Sequence, residues 1–152
     1  MPLVGVVMGS KSDEALVKPT LEALEQMGIS YECRALSAHR APDAVREYAR
    51  TAAERGLEVL IAAAGGAAHL PGAIAAHTLL PVIGVPLATS ELKGVDALYA
   101  TVQMPPGVPV ACVAVGAWGA RNAAYLAAAI LGLKHPEVAR AYASFRQQLS
   151  QV

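Results

Sequence analysis

The sequence predicts a three-layer, doubly wound α/β domain, with one parallel sheet covered by helices on both faces. Three observations predict it. Short apolar runs of strand length alternate with longer segments of helical character. The apolar runs are nearly continuous, as in strands buried on both faces. The turns that follow the first three runs gather glycines and polar residues, the pattern of sheets whose ligands bind at strand carboxyl ends.

The first strand is Leu3–Met8, an apolar run ending in Gly9. Ser12 and Asp13 are N-cap residue types and Glu14 suits a first helical turn, so a helix follows to about Met27. Leu16, Leu21 and Leu24 are its expected inner stripe, and Gly28 its stop. Pro19 lies inside and is expected to kink the helix or disturb its first turns. Ile29–Leu36 is the second strand. Pro42 and Asp43 open the next helix, because a proline in the first turn gives up no helical bond. Val45, Tyr48, Ala49 and Ala52 face inward there, and Gly56 ends it.

Val59–Ala63 is the third strand, followed by a small-residue loop and a short helix near Ala73–His77. Val82–Val85 is the fourth, bracketed by Pro81 and Pro86. A helix over Val95–Val102, a Pro-rich loop over Met104–Pro109 and a fifth strand over Val110–Val115 come next. An Ala-rich helix over Arg121–Leu131 stops at Gly132. The last helix, Pro136–Gln148, carries Val138, Tyr142, Phe145 and Leu149 along one side.

Five strands joined by right-handed crossovers favour the flavodoxin-like, Rossmann-like order 2-1-3-4-5. In that order the carboxyl ends of strands 1, 2 and 3 are neighbours, and the winding reverses between 1 and 3. No repeat or low-complexity segment divides the chain, so residues 1–152 are expected to form a single α/β domain.

Composition narrows the function. With 55% hydrophobic and 16% charged residues the chain can bury a full core and is no disordered segment. Twelve basic residues balance twelve acidic ones, so neither nucleic acid nor an acidic membrane is an expected partner. From Val59 to Ser90 there is no Asp, Glu, Lys or Arg. Three prolines and four glycines interrupt that stretch, so it reads as buried strands and loops rather than a membrane span, with part of it facing another subunit. Cys33 and Cys112 fit reduced, buried thiols of a cytosolic protein. The start, Met1–Gly9, has no basic n-region and too short an apolar run for a signal peptide.

The topology brings three patches to one place. Gly9-Ser10-Lys11-Ser12-Asp13 follows the first strand. Its glycine, hydroxyls and helix N-terminus suit a phosphate, and Asp13 suits ribose hydroxyls; a tight turn with an N-cap accounts equally for the same residues. It is neither a Walker loop nor GxGxxG. Ser37-Ala38-His39-Arg40-Ala41-Pro42 follows the second strand. Arg40 offers a guanidinium fork to a phosphate, Ser37 a hydroxyl, and His39 a general acid/base near neutral pH. The small residues of Ala64–Gly72 can lie flat against a planar ring, and His69 either assists the chemistry or simply bonds the loop backbone. His77 and His135 are expected to be structural. No pair among the histidines and cysteines has metal-ligand spacing, and no metal is expected. These residues alone point to a small phosphorylated ligand, with His39 moving a proton.

The segments GSKSD, SAHRAPD, AAGGAAHLPG, LPVIGVP and LYATVQMPPGVPV, in this order from about Val4 to Leu131, resemble class I N5-carboxyaminoimidazole ribonucleotide mutase of purine biosynthesis. Only the run Gly116–Arg121 departs from the usual small-residue pattern. The resemblance implies a cytoplasmic homo-octamer with active sites at subunit junctions and a C-terminal helix packing on a neighbouring subunit. It implies interconversion of N5-carboxyaminoimidazole ribonucleotide and 4-carboxy-5-aminoimidazole ribonucleotide, with no cofactor. By the same resemblance Ser12, Ser37 and Arg40 hold the 5′-phosphate, with Ser10 beside them, and Asp13 holds the ribose. His39 is the acid/base, and Gly65, Gly66, Ala67, His69 and Leu70 wall the base and carboxylate. Two alternatives share these loops: a carboxylase acting on aminoimidazole ribonucleotide and carbon dioxide directly, and a non-catalytic nucleotide sensor.

Overall fold

A computed structural model describes residues 1–151. Its sheet has the order β2-β1-β3-β4-β5, with every pair parallel. The strands are β1 (Val4–Met8), β2 (Tyr31–Ala35), β3 (Val59–Gly65), β4 (Val82–Leu87) and β5 (Ala111–Cys112). The helices are α1 (Glu14–Gln26), α2 (Pro42–Thr51), α3 (Leu70–Ala75), α4 (Val95–Val102), α5 (Ala117–Leu131) and α6 (Pro136–Leu149).

The strand side chains alternate between two cores, as a period of two requires. Val4, Val6, Val59, Ile61 and Ile83 meet α1, α5 and α6 on one face. Val7, Leu60, Ala62 and Val82 meet α2, α3 and α4 on the other. β1, β3 and β4 carry the apolar load, and all of their residues but Gly65 are buried. β2 and β5 are the edges and are correspondingly half-exposed.

Several boundaries depart from the sequence expectation, each for a packing reason. α1 buries Val17, Thr20, Ala23 and Leu24, while Leu16 stays 42% exposed. The inner face is turned because Thr20 Oγ1 donates to the Ala120 carbonyl of α5 at 2.7 Å, and Ala23 of α1 shares a buried cluster with Ala120, Ala123 and Ala124 of α5. The first turn, Lys11–Asp13, is 3₁₀, and α1 then runs on through Pro19. α3 starts at Leu70, three residues early, with Pro71 in its first turn.

β4 continues through Pro86 to Leu87. The Pro86 carbonyl accepts from Gly116 N–H, so its missing donor faces the β5 side. There β5 has already ended, pairing only with Ile83 and Gly84. β5 keeps two of its six expected residues in the ladder, as a short edge strand following Pro109. α5 begins at Ala117, because Gly119, which reads as a loop residue, lies where the helix crosses the Ala114 backbone. Cys33 is exposed and Cys112 half-buried, against the expectation of two buried thiols; both are free and lie on the edge strands, which have only one neighbour. No helix among the described residues is long and apolar enough to cross a membrane.

Candidate active site

The parallel register brings the carboxyl ends of β1, β2 and β3 level, with Met8 beside Ala35 and Ala63. Three chain segments leave the sheet there and enclose a crevice of about 360 Å³. The size suits a small ligand.

From β1, Gly9 N–H bonds the Ala63 carbonyl and holds the loop to the sheet. Ser10 Oγ accepts from Ser12 N–H at 3.2 Å and lies 2.8 Å from Ser12 Oγ, so the two hydroxyls present themselves together. Asp13 closes this turn and is only 8% exposed. Burial raises its carboxyl pKa, and a backbone bond to Ser10 pulls it the other way. Lys11 is exposed and does not line the crevice.

From β2, Ser37–Ala41 form a closed turn. Ala41 N–H bonds the Ser37 carbonyl and Arg40 N–H donates to Ser37 Oγ. That leaves the Ser37 hydroxyl proton available to an acceptor. Among the described residues no carboxylate lies within ion-pair distance of Arg40, so its guanidinium is an uncommitted cation at the rim.

From β3, the loop tightens through Ala68 N–H to the Gly66 carbonyl and His69 N–H to the Ala67 carbonyl. Gly66 takes a φ of +58°, which a side chain resists, and so makes the turn that brings His69 round. His69 stands at the start of α3 without capping it, and its ring turns to His39 instead. His39 Nε2 lies 2.7 Å from His69 Nδ1, with the rings 82° apart. One nitrogen must carry a hydrogen and the other a lone pair, so the contact ties the two tautomers together.

The crevice thus unites Ser10, Ser12, Asp13, Ser37, His39, Arg40, Gly65, Ala67, His69 and Leu70. Gly66, expected to wall the ligand, is not in the lining; its Cα faces open space. Thr89, two residues beyond β4, lines the crevice and was missed by sequence reasoning. The signal for it was present, since a fourth neighbouring strand must also end at this edge. His77 is exposed, while His135 bonds Glu58 at 2.9 Å, both far from this chemistry. A larger hollow, about 970 Å³, sits at the amino ends of β4 and β5 among Arg46, His77 and Pro81. It lacks convergent acid/base groups and lies away from the strand ends where such sheets act. No cluster of three or more His, Cys, Asp or Glu among the described residues could hold a metal ion.

Fold and crevice together define a flavodoxin-like α/β protein with its reactive groups at the topological switch point. The AIR carboxylase family profile matches residues 3–152. N5-carboxyaminoimidazole ribonucleotide mutase of Thermotoga maritima is 56% identical over 149 residues, covering 98% of this chain and 86% of the relative. The protein of that name from Pseudomonas aeruginosa is 58% identical over 144 residues, covering 95% and 88%. The crystal structure of Treponema denticola PurE superposes with a TM-score of 0.88 at 30% identity, covering 99% of this chain and 93% of that one. The chain belongs to the AIR carboxylase family.

Proposed function

We propose that this chain is an N5-carboxyaminoimidazole ribonucleotide mutase of purine biosynthesis, with His39 as its general acid/base. The observation that carries the chemistry is the His39–His69 pair beside an uncommitted Arg40. Mutases more than half identical along nearly the whole chain support the reaction class.

Each group has a task that its surroundings support. Arg40, Ser37, Ser12 and Ser10 hold the 5′-phosphate through charge-assisted bonds, and Asp13 takes the ribose hydroxyls. Gly65, Ala67, Leu70 and His69 wall the ring and carboxylate; Gly66 serves the turn. His39 gives a proton to N5 as the carbamate bond breaks and carbon dioxide departs. The crevice keeps the carbon dioxide, and the ring carbon C4 attacks it through its enamine electron pair. C4 then loses its hydrogen to His39, which returns to its starting state. The proton count closes, so one imidazole serves both steps. The hydrogen shared with His69 orients the ring, and the proton that moves to and from the substrate is carried on the other ring nitrogen of His39. The electron-rich ring drives the attack itself, so no cofactor is assigned.

The assembly belongs to the same proposal. A cytoplasmic homo-octamer with sites at subunit junctions would cover Leu92, Val95, Tyr99 and Val102, a row of exposed apolar side chains around α4, and Leu79 beside the larger hollow. α6 packs on α5 of its own chain through Tyr125 and Phe145, and in this reading its exposed Leu149 is the side chain that a neighbouring subunit would cover. No nucleic acid or membrane partner is assigned.

An ultraviolet assay on purified protein tests the reading, with each substrate supplied separately and bicarbonate controlled. Turnover of the carbamate ribonucleotide without added bicarbonate is expected. Turnover only of aminoimidazole ribonucleotide with carbon dioxide would make it a carboxylase; binding without turnover would make it a sensor. Light scattering on the same sample should give eight subunits.

A further inference from the structure

The polar groups of the crevice follow the strand order. Arg40 and Ser37 come from the end of β2, Ser10, Ser12 and Asp13 from β1, the Gly65–His69 loop from β3, and Thr89 from β4. Adjacent strands are about 4.8 Å apart, so β2 to β4 spans about 14 Å, enough for a mononucleotide laid across the sheet edge. A phosphate anchored at the β2 and β1 ends sends the ribose toward β3 and the far end of the heterocycle toward β4. Among the described residues, Thr89 is the only side chain of the lining that comes from the end of β4.

The fold makes room for it. Gly65 pairs with Leu87 in the ladder, and the position a Cβ on Gly65 would take is occupied by Thr89 Oγ1, with Thr89 Cβ 3.0 Å away. The hydroxyl therefore fills the side-chain space of Gly65, at the β4 edge of the crevice that both residues line. Neighbouring Ser90 behaves differently: it bonds Asp96 and the Leu92 N–H and turns toward α4. Ser10, Ser12 and Ser37 likewise have protein partners, whereas the Thr89 hydroxyl has none among the described residues.

We infer that Thr89 is a specificity-determining residue, whose hydroxyl donates to the carboxylate at the end of the ribonucleotide remote from the phosphate. This rests on the mutase reading of the same crevice. A donor there rewards the carboxylated ligand and gives nothing to its decarboxylated counterpart.

The test uses Thr89→Val, which keeps the branched shape over Gly65 and removes the hydroxyl, and Thr89→Ser, which keeps the hydroxyl. Calorimetry with 4-carboxy-5-aminoimidazole ribonucleotide and with aminoimidazole ribonucleotide is run beside the turnover assay. A bond to a charged group is worth about 1.5–3 kcal/mol, so Thr89→Val should bind the carboxylated ligand at least about tenfold more weakly. Aminoimidazole ribonucleotide should bind within about twofold of wild type, and Thr89→Ser should restore the carboxylated complex. Equal weakening of both ligands, no weakening of either, or no rescue by serine overturns the role of Thr89 while wild-type turnover leaves the mutase reading standing. Wild-type protein that neither converts nor binds the carboxylated ligand overturns both.

Discussion

His39 Nε2 and His69 Nδ1 face each other at 2.7 Å, although 30 residues separate them in the chain. A bond between two imidazoles holds only one hydrogen, so protonating both rings must break it. The pair is thus a matched donor and acceptor whose roles exchange as one proton moves. His39→Asn keeps a polar side chain and removes the imidazole. It should lower kcat by at least about 10²-fold, the usual contribution of a positioned acid/base, while ligand affinity survives. His69→Ala leaves His39 in place but unlocks its tautomer, and should lower kcat by less. Steady-state rates and calorimetry separate the two, and wild-type turnover in His39→Asn would remove that ring from the mechanism.

Arg40 presents an uncommitted guanidinium beside the Ser37 turn, so its loss should appear in binding before chemistry. Arg40→Ala should weaken the phosphorylated ligand by about ten- to hundredfold, the range for a hydrogen bond to a charged group. Arg40→Lys keeps the charge and loses the planar fork, and should fall between alanine and wild type. Unchanged affinity in Arg40→Ala, read by calorimetry, would contradict the phosphate assignment.

Asp13 trades stability for binding. The helix N-terminus behind it favours an anion, but burial prevails and raises its pKa. The folded protein then holds a proton over a pH window in which the unfolded chain has already released it. Stability from this group is therefore greatest below that window and falls as pH rises through it. Asp13→Asn removes the dependence and keeps a residue fit for the helix start. The variant should match or exceed wild-type thermal stability at neutral pH, with the advantage shrinking toward acid, and should lose ribonucleotide affinity. Melting curves across pH check the sign; a variant less stable at neutral pH and unchanged in acid would refute it.

The sheet order and the convergence of three loops were legible because both follow from period and chain direction. Leu3–Met8 and Val59–Ala63 read as buried strands from apolar continuity alone, within a residue or two of the observed Val4–Met8 and Val59–Gly65, and parallel crossovers then force their carboxyl ends together. What escaped depends on contacts between segments distant in the chain. Thr20 faces inward on α1 because a carbonyl of α5 accepts its hydroxyl, a partner that helical spacing cannot reveal. Pro86 stays within β4 because β5 stops short, which makes its missing donor harmless. Thr89 enters the crevice because Gly65 leaves it space, a fact about two strands rather than one.

Gly119 shows the same dependence at its strictest. It lies in the first turns of α5, buried, where the helix passes over the segment that leaves β5. A Cβ there would run into the Ala114 carbonyl oxygen and come within 2.5 Å of its carbon and 3.0 Å of Ala114 N. All three are backbone atoms, so no rotamer change relieves the contact. Either α5 moves off the sheet, opening the interface of Ala120, Ala123 and Ala124 with the core, or the segment after β5 leaves its bonds to β4. Gly119→Ala gains helix propensity, about 1 kcal/mol at most, and should nonetheless destabilise the protein. Overpacking of this kind costs about 1–3 kcal/mol, and more where backbone must shift. A net loss near 1 kcal/mol or greater is expected in denaturant melts. Gly132→Ala, at the residue that caps the end of the same helix, meets nothing closer than 3.1 Å and should cost less. Equal stability of the two variants would show that the crossing at Ala114 has slack that its geometry denies.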